Sequence, residues 1–208
     1  MREPLLFHID FLTGEELMKY LGEFLSYILI AVFAQNLLLG KAVGLSDIIT
    51  ATRHRRLLVR LLLVSGCWST AGIMLTWLLS GFVTDMDDYI LIALLHSLVC
   101  AAAYYASDRL LARFRPRLYG KLKEVMPHAL INSVVVGAPL SALASGIPSW
   151  YAALGYGIGT PLGLELGIII IRNGLDILDH PDVPKAFRGI PIMLIYIGIL
   201  SLGFCAFL

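Results

Sequence analysis

The distribution of charge along this chain constrains its fold more than any single motif does. Lys41, Arg53, Arg55, Arg56 and Arg60 form one basic block. Arg109, Arg113, Arg115, Arg117, Lys121 and Lys123 form a second, and Arg172, Lys185 and Arg188 a third. Between the blocks run long apolar stretches that carry almost no charge. Only 15% of the 208 residues are charged and 58% are hydrophobic, where a soluble domain carries about 25% charged residues. The mean hydropathy is +0.81. Such a chain has too little polar surface to cover a water-soluble core, and it reads as an all-α polytopic membrane protein. Its partner is the lipid bilayer. The net charge of +1 gives no reason to expect nucleic acid.

A helix needs roughly 20 apolar residues to cross the hydrocarbon layer. Six segments meet that need, at about 21–45, 57–81, 89–107, 123–146, 150–171 and 187–208. The three basic blocks fall between segments one and two, three and four, and five and six. The remaining two connections hold no Lys or Arg, and one of them is the acidic "TDMDD". Positive loops stay cytoplasmic, so both termini are expected outside. The start, "MREPLLFHIDFLTGEELMKYLGEF", has acidic residues where a signal peptide has basic ones, and it lacks a small-residue cleavage site. Residues 1–20 read as an N-terminal extension, either an interfacial helix or a partly ordered tail. The membrane domain is expected over 21–208.

The first and fourth segments share an interruption. "QNLLLG" and "INSVVVG" each place Asn ahead of apolar residues and then Gly, with further small or polar residues after. The first segment starts outside and the fourth inside, which makes an inverted repeat of three plus three helices with broken first and fourth members. Matching breaks point to a site near the bilayer midplane. The alternative is that the first segment ends near Gly40, with Lys41 snorkelling to the cytoplasmic interface. Gln35, Asn36 and Asn132 are suited to bond backbone groups freed at the breaks. If the breaks meet, Ser46 and Ser133 lie close together near the pseudo-twofold axis.

Other polar and small residues inside the segments have simpler readings. Gly155, Gly159, Gly163 and Gly167 recur every four residues, a row that admits close helix packing. Glu165 is a carboxylate well inside the fifth segment, which marks it for an ion path, an ion pair or a structural hydrogen bond. His96 and His128 read as hydrogen-bonded polar residues. Cys67, Cys100 and Cys205 lie in apolar segments without a CxxC pair and read as small hydrophobes. No nucleophile–base pattern, phosphate loop or metal-ligand spacing is present, so no catalytic residue is assigned.

Three stretches resemble the membrane subunits of the Rnf and Na⁺-translocating NADH:quinone reductase (Nqr) complexes. "NLLLGKAVGLSDI" at 36–48 resembles that family's Asn-rich, Lys, Gly-Leu-Cys motif. "MPHALINS" at 126–133 resembles its "LPxxxxNC", and "DVPKAFRGIP" at 182–191 its "DVPxPFRG". The resemblance covers about 20–208 and is best to the A-type subunits of Rnf and the E-type of Nqr. It implies a multi-pass protein in a bacterial or archaeal cell (inner) membrane, beside flavin-bearing partners and a homologous six-helix subunit. It also implies a [2Fe-2S] cluster held by one Cys from each broken helix of two homologous subunits. Those positions are Ser46 and Ser133 here. A hydroxyl is a harder and far less acidic ligand than a thiolate, so the chain is expected to bring no ordinary cluster ligand.

The function implied is an integral membrane subunit of a complex that couples electron transport to Na⁺ or H⁺ translocation, without iron–sulfur ligands of its own. A cofactor-free small-molecule or ion transporter, or a membrane scaffold on the same inverted repeat, is the alternative that the missing thiols favour.

Overall fold

The computed structural model describes residues 14–44, 55–82, 86–123, 126, 133–178 and 183–205. Ser46, His128 and Asn132 lie outside them. The described chain is helical, and no strand occurs among the described residues. Helix α1 spans Gly14–Leu29 and passes directly into a π-helical turn, Ile30–Ala34. It therefore joins residues 14–20 to the first apolar segment in one helix. A short helix, α2, follows at Leu37–Lys41. Then come α3 (Arg55–Leu79), α4 (Met86–Phe114) and α5 (Pro116–Leu122). The second half holds α6 (Ser133–Ala144), α7 (Trp150–Leu178) and α8 (Ile190–Cys205).

Three of these stretches are long and apolar enough to cross a membrane: Gly14–Ala34, Leu62–Leu79 and Trp150–Leu178. Helix α4 has 29 residues and contains the whole third expected segment. Ser133–Ala144 and Ile190–Phe204 are apolar but shorter.

Helix α7 sits at the centre. It packs against α1 and the π turn on one side and α3 on another, and it also touches α2, α6 and α8. Its side chains Ala152, Ala153, Tyr156 and Ile171 are completely enclosed. Two apolar clusters flank it. One joins Leu38 and Leu39 of α2 to Leu164, Ile168 and Ile171 of α7 and Met193 and Ile197 of α8. The other joins Ala31, Leu37, Ile73, Ala138, Ala142 and Tyr156.

The periphery is also apolar. Leu17, Leu21, Leu25, Leu29 and Phe33 recur every four residues along the open side of the first helix. Ile90, Leu94 and Leu98 do the same on α4. An exposed apolar surface this extensive would aggregate in water, and lipid covers it without cost. At the start of α7 the Tyr151 ring lies 4.9 Å from Tyr20 and 5.7 Å from Trp150, and Ser149 Oγ donates to Glu23 at 2.9 Å. Amphipathic aromatics grouped at a helix end suit the level of the lipid headgroups.

Candidate functional site: a broken helix and its polar neighbours

The chain leaves α-helical geometry at the point the sequence marks. Gln35 N–H donates to Ile30 O at 2.7 Å, five residues back. Asn36 is then extended at φ −59°, ψ 114°. A break inside an apolar bundle frees backbone groups that must find partners. Asn36 supplies them with one side chain. Its Oδ1 accepts from Leu38 N and Leu39 N, both at 3.1 Å, capping α2. Its Nδ2 donates to Val32 O at 2.8 Å and Gly163 O at 2.9 Å. Two donors and two lone pairs are the whole capacity of an amide, and Asn36 is only 1% exposed.

The other end of α2 is closed by backbone. Ala42 is left-handed at φ 54°, ψ 21°. Its N–H donates to Leu38 O at 3.1 Å, the bond of an αL ending, and that of Val43 reaches Leu37 O at 2.9 Å. Gly44 follows at φ 96°. Its N–H donates to Ser133 Oγ at 3.0 Å. The end of the first broken segment thus touches the start of α6, two residues before Ser46 and at Ser133 itself.

Glycines of α7 let the broken helix come this close. A Cβ on Gly159 would stand 2.7 Å from Ile28 O, and one on Gly163 3.0 Å from Ala31 O. Gly155 faces Phe24 O and Gly167 faces Leu38. All four glycines face the α1–π turn–α2 segment of the same chain.

Two prolines add a second kind of polar contact. Pro139 has no N–H, so the Val135 carbonyl one turn back loses its helical donor. His96 Nε2 fills the vacancy at 3.1 Å. The partner is a carbonyl, so Nε2 carries the proton. Pro161 likewise frees Gly157 O, and Thr70 Oγ1 donates to it at 2.9 Å.

A cluster lies between α2, α6 and α7. Lys41 Nζ donates to Ser141 Oγ at 2.6 Å, and Ser141 Oγ is 3.1 Å from Tyr156 Oη. Ser145 Oγ donates to Gln35 Oε1 at 2.8 Å. Lys41 is exposed as a residue, and only its Nζ reaches this cluster. Ser141, Ser145 and Tyr156 escape a reading of the sequence, because serine and tyrosine in an apolar span carry no motif. The one signal is that Ser141 and Ser145, four apart, share a helix face.

Glu165 stands apart from this cluster. It lines an open groove between α3 and α7 together with Cys67.

The sequence matches the family described as "Rnf-Nqr subunit, membrane protein" over residues 24–208. It is 25% identical to the E-type subunit of the Na(+)-translocating NADH-quinone reductase of Psychrobacter sp., in an alignment covering 90% of this chain and 98% of that one. Identity is 27% with the A-type subunit of the ion-translocating oxidoreductase complex of Azoarcus sp., over 90% of this chain and 97% of the relative. With the E-type subunit of the Na(+)-translocating NADH-quinone reductase of Hahella chejuensis it is 34%, and there the alignment spans about half of each chain, 52% and 53%.

Proposed function

The chain belongs to the Rnf-Nqr family of membrane subunits, and on that premise we propose that it is an integral subunit of a redox-driven ion-translocating complex. Six spans form an inverted three-plus-three repeat with both termini outside, and the two breaks meet near the bilayer midplane. The homologous partner completes the transmembrane path, and flavins reside on other subunits. The relatives named as subunits of such complexes support this reading. So does the direct contact between the end of the first broken segment, at Gly44, and the start of α6, at Ser133.

That contact also tests the fit of the family's cluster. Ser133 Oγ is occupied as an acceptor for a backbone N–H, and a neutral hydroxyl lacks the soft anionic sulfur that iron prefers. The residues present do not fit a [2Fe-2S] centre. The chain's own groups do structural and electrostatic work instead. Asn36 stabilises the break, Ser133 closes the junction, and Lys41 places a cationic donor on the Ser141–Tyr156 pair. Hydroxyls standing where a cluster would need thiolates equally favour a cofactor-free transporter on the same scaffold, and that is the second reading.

One experiment separates the two. Membrane vesicles containing the whole complex are assayed for Na⁺ or H⁺ uptake driven by a reduced donor. Uptake that disappears on deletion of this chain and returns on its re-expression supports the redox reading. Unchanged redox-driven uptake, with loss only of a gradient-driven solute flux, overturns it.

A further inference from the structure

The groove between α3 and α7 is open to the outside of the bundle and encloses about 560 Å³. Its walls are Leu62, Leu63 and Ala71 on one side and Leu154, Ile158 and Leu162 on the other. Gly66 and Pro161 meet across its floor, where a Cβ on Gly66 would stand 2.8 Å from Pro161. The groove runs along residues 62–71 and 154–165, roughly 15 Å at 1.5 Å per residue. Among the described residues, Glu165 is the one charged residue that lines it. The side chain is exposed, and among the described residues it has neither an ion-pair nor a hydrogen-bond partner. It lies at the sixteenth of the 29 residues of α7, far from either end of the span.

A bare carboxylate facing hydrocarbon is costly and requires cover. Acyl chains bring no donor. A bound metal cation would need several oxygens. The hydroxyl that lines the groove, Thr70, has its single proton committed to Gly66 O and Gly157 O, and those carbonyls face it. What remains is a helix that brings its own cation. We propose that this groove seats a transmembrane helix of another membrane protein of the complex, and that a Lys or Arg of that helix pairs with Glu165. The Gly66–Pro161 contact brings α3 and α7 close together at the floor, and the apolar walls above it suit the side chains of an incoming helix. The inference rests on the complex proposed above.

The test uses the assembled complex in native membranes. A photoactivatable benzoylphenylalanine replaces Ile158 or Leu162, and adducts are mapped by mass spectrometry. The expected adduct falls on a transmembrane segment of a partner protein, within about two turns of a Lys or Arg. Native Cys67 gives an independent reading, with Cys100 and Cys205 replaced by Ser. Its alkylation by N-ethylmaleimide should be fast in the chain expressed alone and about tenfold slower in the complex. Glu165→Arg should lower co-purification of the partner about tenfold or more, the scale expected for breaking a desolvated charge pair. Reversing the mapped partner charge should restore it. Glu165→Gln, which keeps hydrogen-bonding capacity, controls for folding and should lose less. Adducts only to lipid or quinone from a chain that still co-purifies with its partners overturn the docking alone. A chain that purifies without any partner overturns the docking and the complex together.

Discussion

Asn36 carries more of the local structure than any other single side chain. Its four hydrogen bonds hold two α2 amides and two carbonyls, one of them on α7. Asn36→Leu keeps the branched shape, at somewhat larger volume, and removes all four, leaving buried backbone groups unpaired. The expected cost is about 2–5 kcal/mol, read as a lower thermal midpoint of the detergent-solubilised protein. Asn36→Asp keeps the α2 cap but replaces the donor to Gly163 O by a buried charge, and it should be destabilised as well. An isolated α2 fault alone would leave the Asp variant near wild type. The side chains around Asn36 differ in how legible they are in sequence. An Asn followed by apolar residues and glycine signals a break because only such a residue caps a helix in hydrocarbon. The pairing of Lys41 with Ser141 is not legible, because the two are a hundred residues apart and a hydroxyl accepts from many donors.

Among elements, the fifth apolar segment was the easiest to anticipate and α6 the hardest. Glycine every fourth residue permits only close packing, and α7 indeed approaches α1 to backbone contact. Gly159→Ala places a methyl carbon 2.7 Å from Ile28 O, and a cost of about 1–3 kcal/mol is expected. Gly198→Ala in α8 is the internal control. No atom of the described residues lies within 4 Å of its Cβ position, and better helix propensity makes it neutral or slightly stabilising. Equal melting shifts for the two variants would show that the glycine row does not hold α1. The opposite case is the proline-freed carbonyls, whose partners His96 and Thr70 reside on other helices. A sequence shows that Pro139 and Pro161 leave an acceptor empty, but not which side chain reaches it. Thr70→Val should cost about 1–3 kcal/mol through the orphaned Gly157 carbonyl, and chemical denaturation of the solubilised protein would register it.

At the scale of the molecule, charge distribution gave the membrane class and the helical character before any motif did, while three of the six expected segments contain stretches long and apolar enough to cross a membrane. The composition leaves no other way to cover so much apolar surface. Which helix would be central was not legible, because the helices after the first differ little from face to face. Orientation remains a prediction. A cysteine placed in the acidic "TDMDD" segment, in a background lacking the native cysteines, should react with an impermeant maleimide added outside intact cells. One placed at Arg117 should react only after permeabilisation. Reactivity in the reverse order would invert the topology.

The glycine row has a consequence for alignment. A surface that repeats every four residues looks the same after a slide of one repeat, about 6 Å along the axis, so the row by itself has no preferred register. The Asn36–Gly163 bond is not periodic. It acts as a detent, marking one position among several that the packing alone would accept. A helix seated by a notched row and one catch holds a defined position at rest, and any shift to the next notch must break that bond and cross the poorly packed positions between notches.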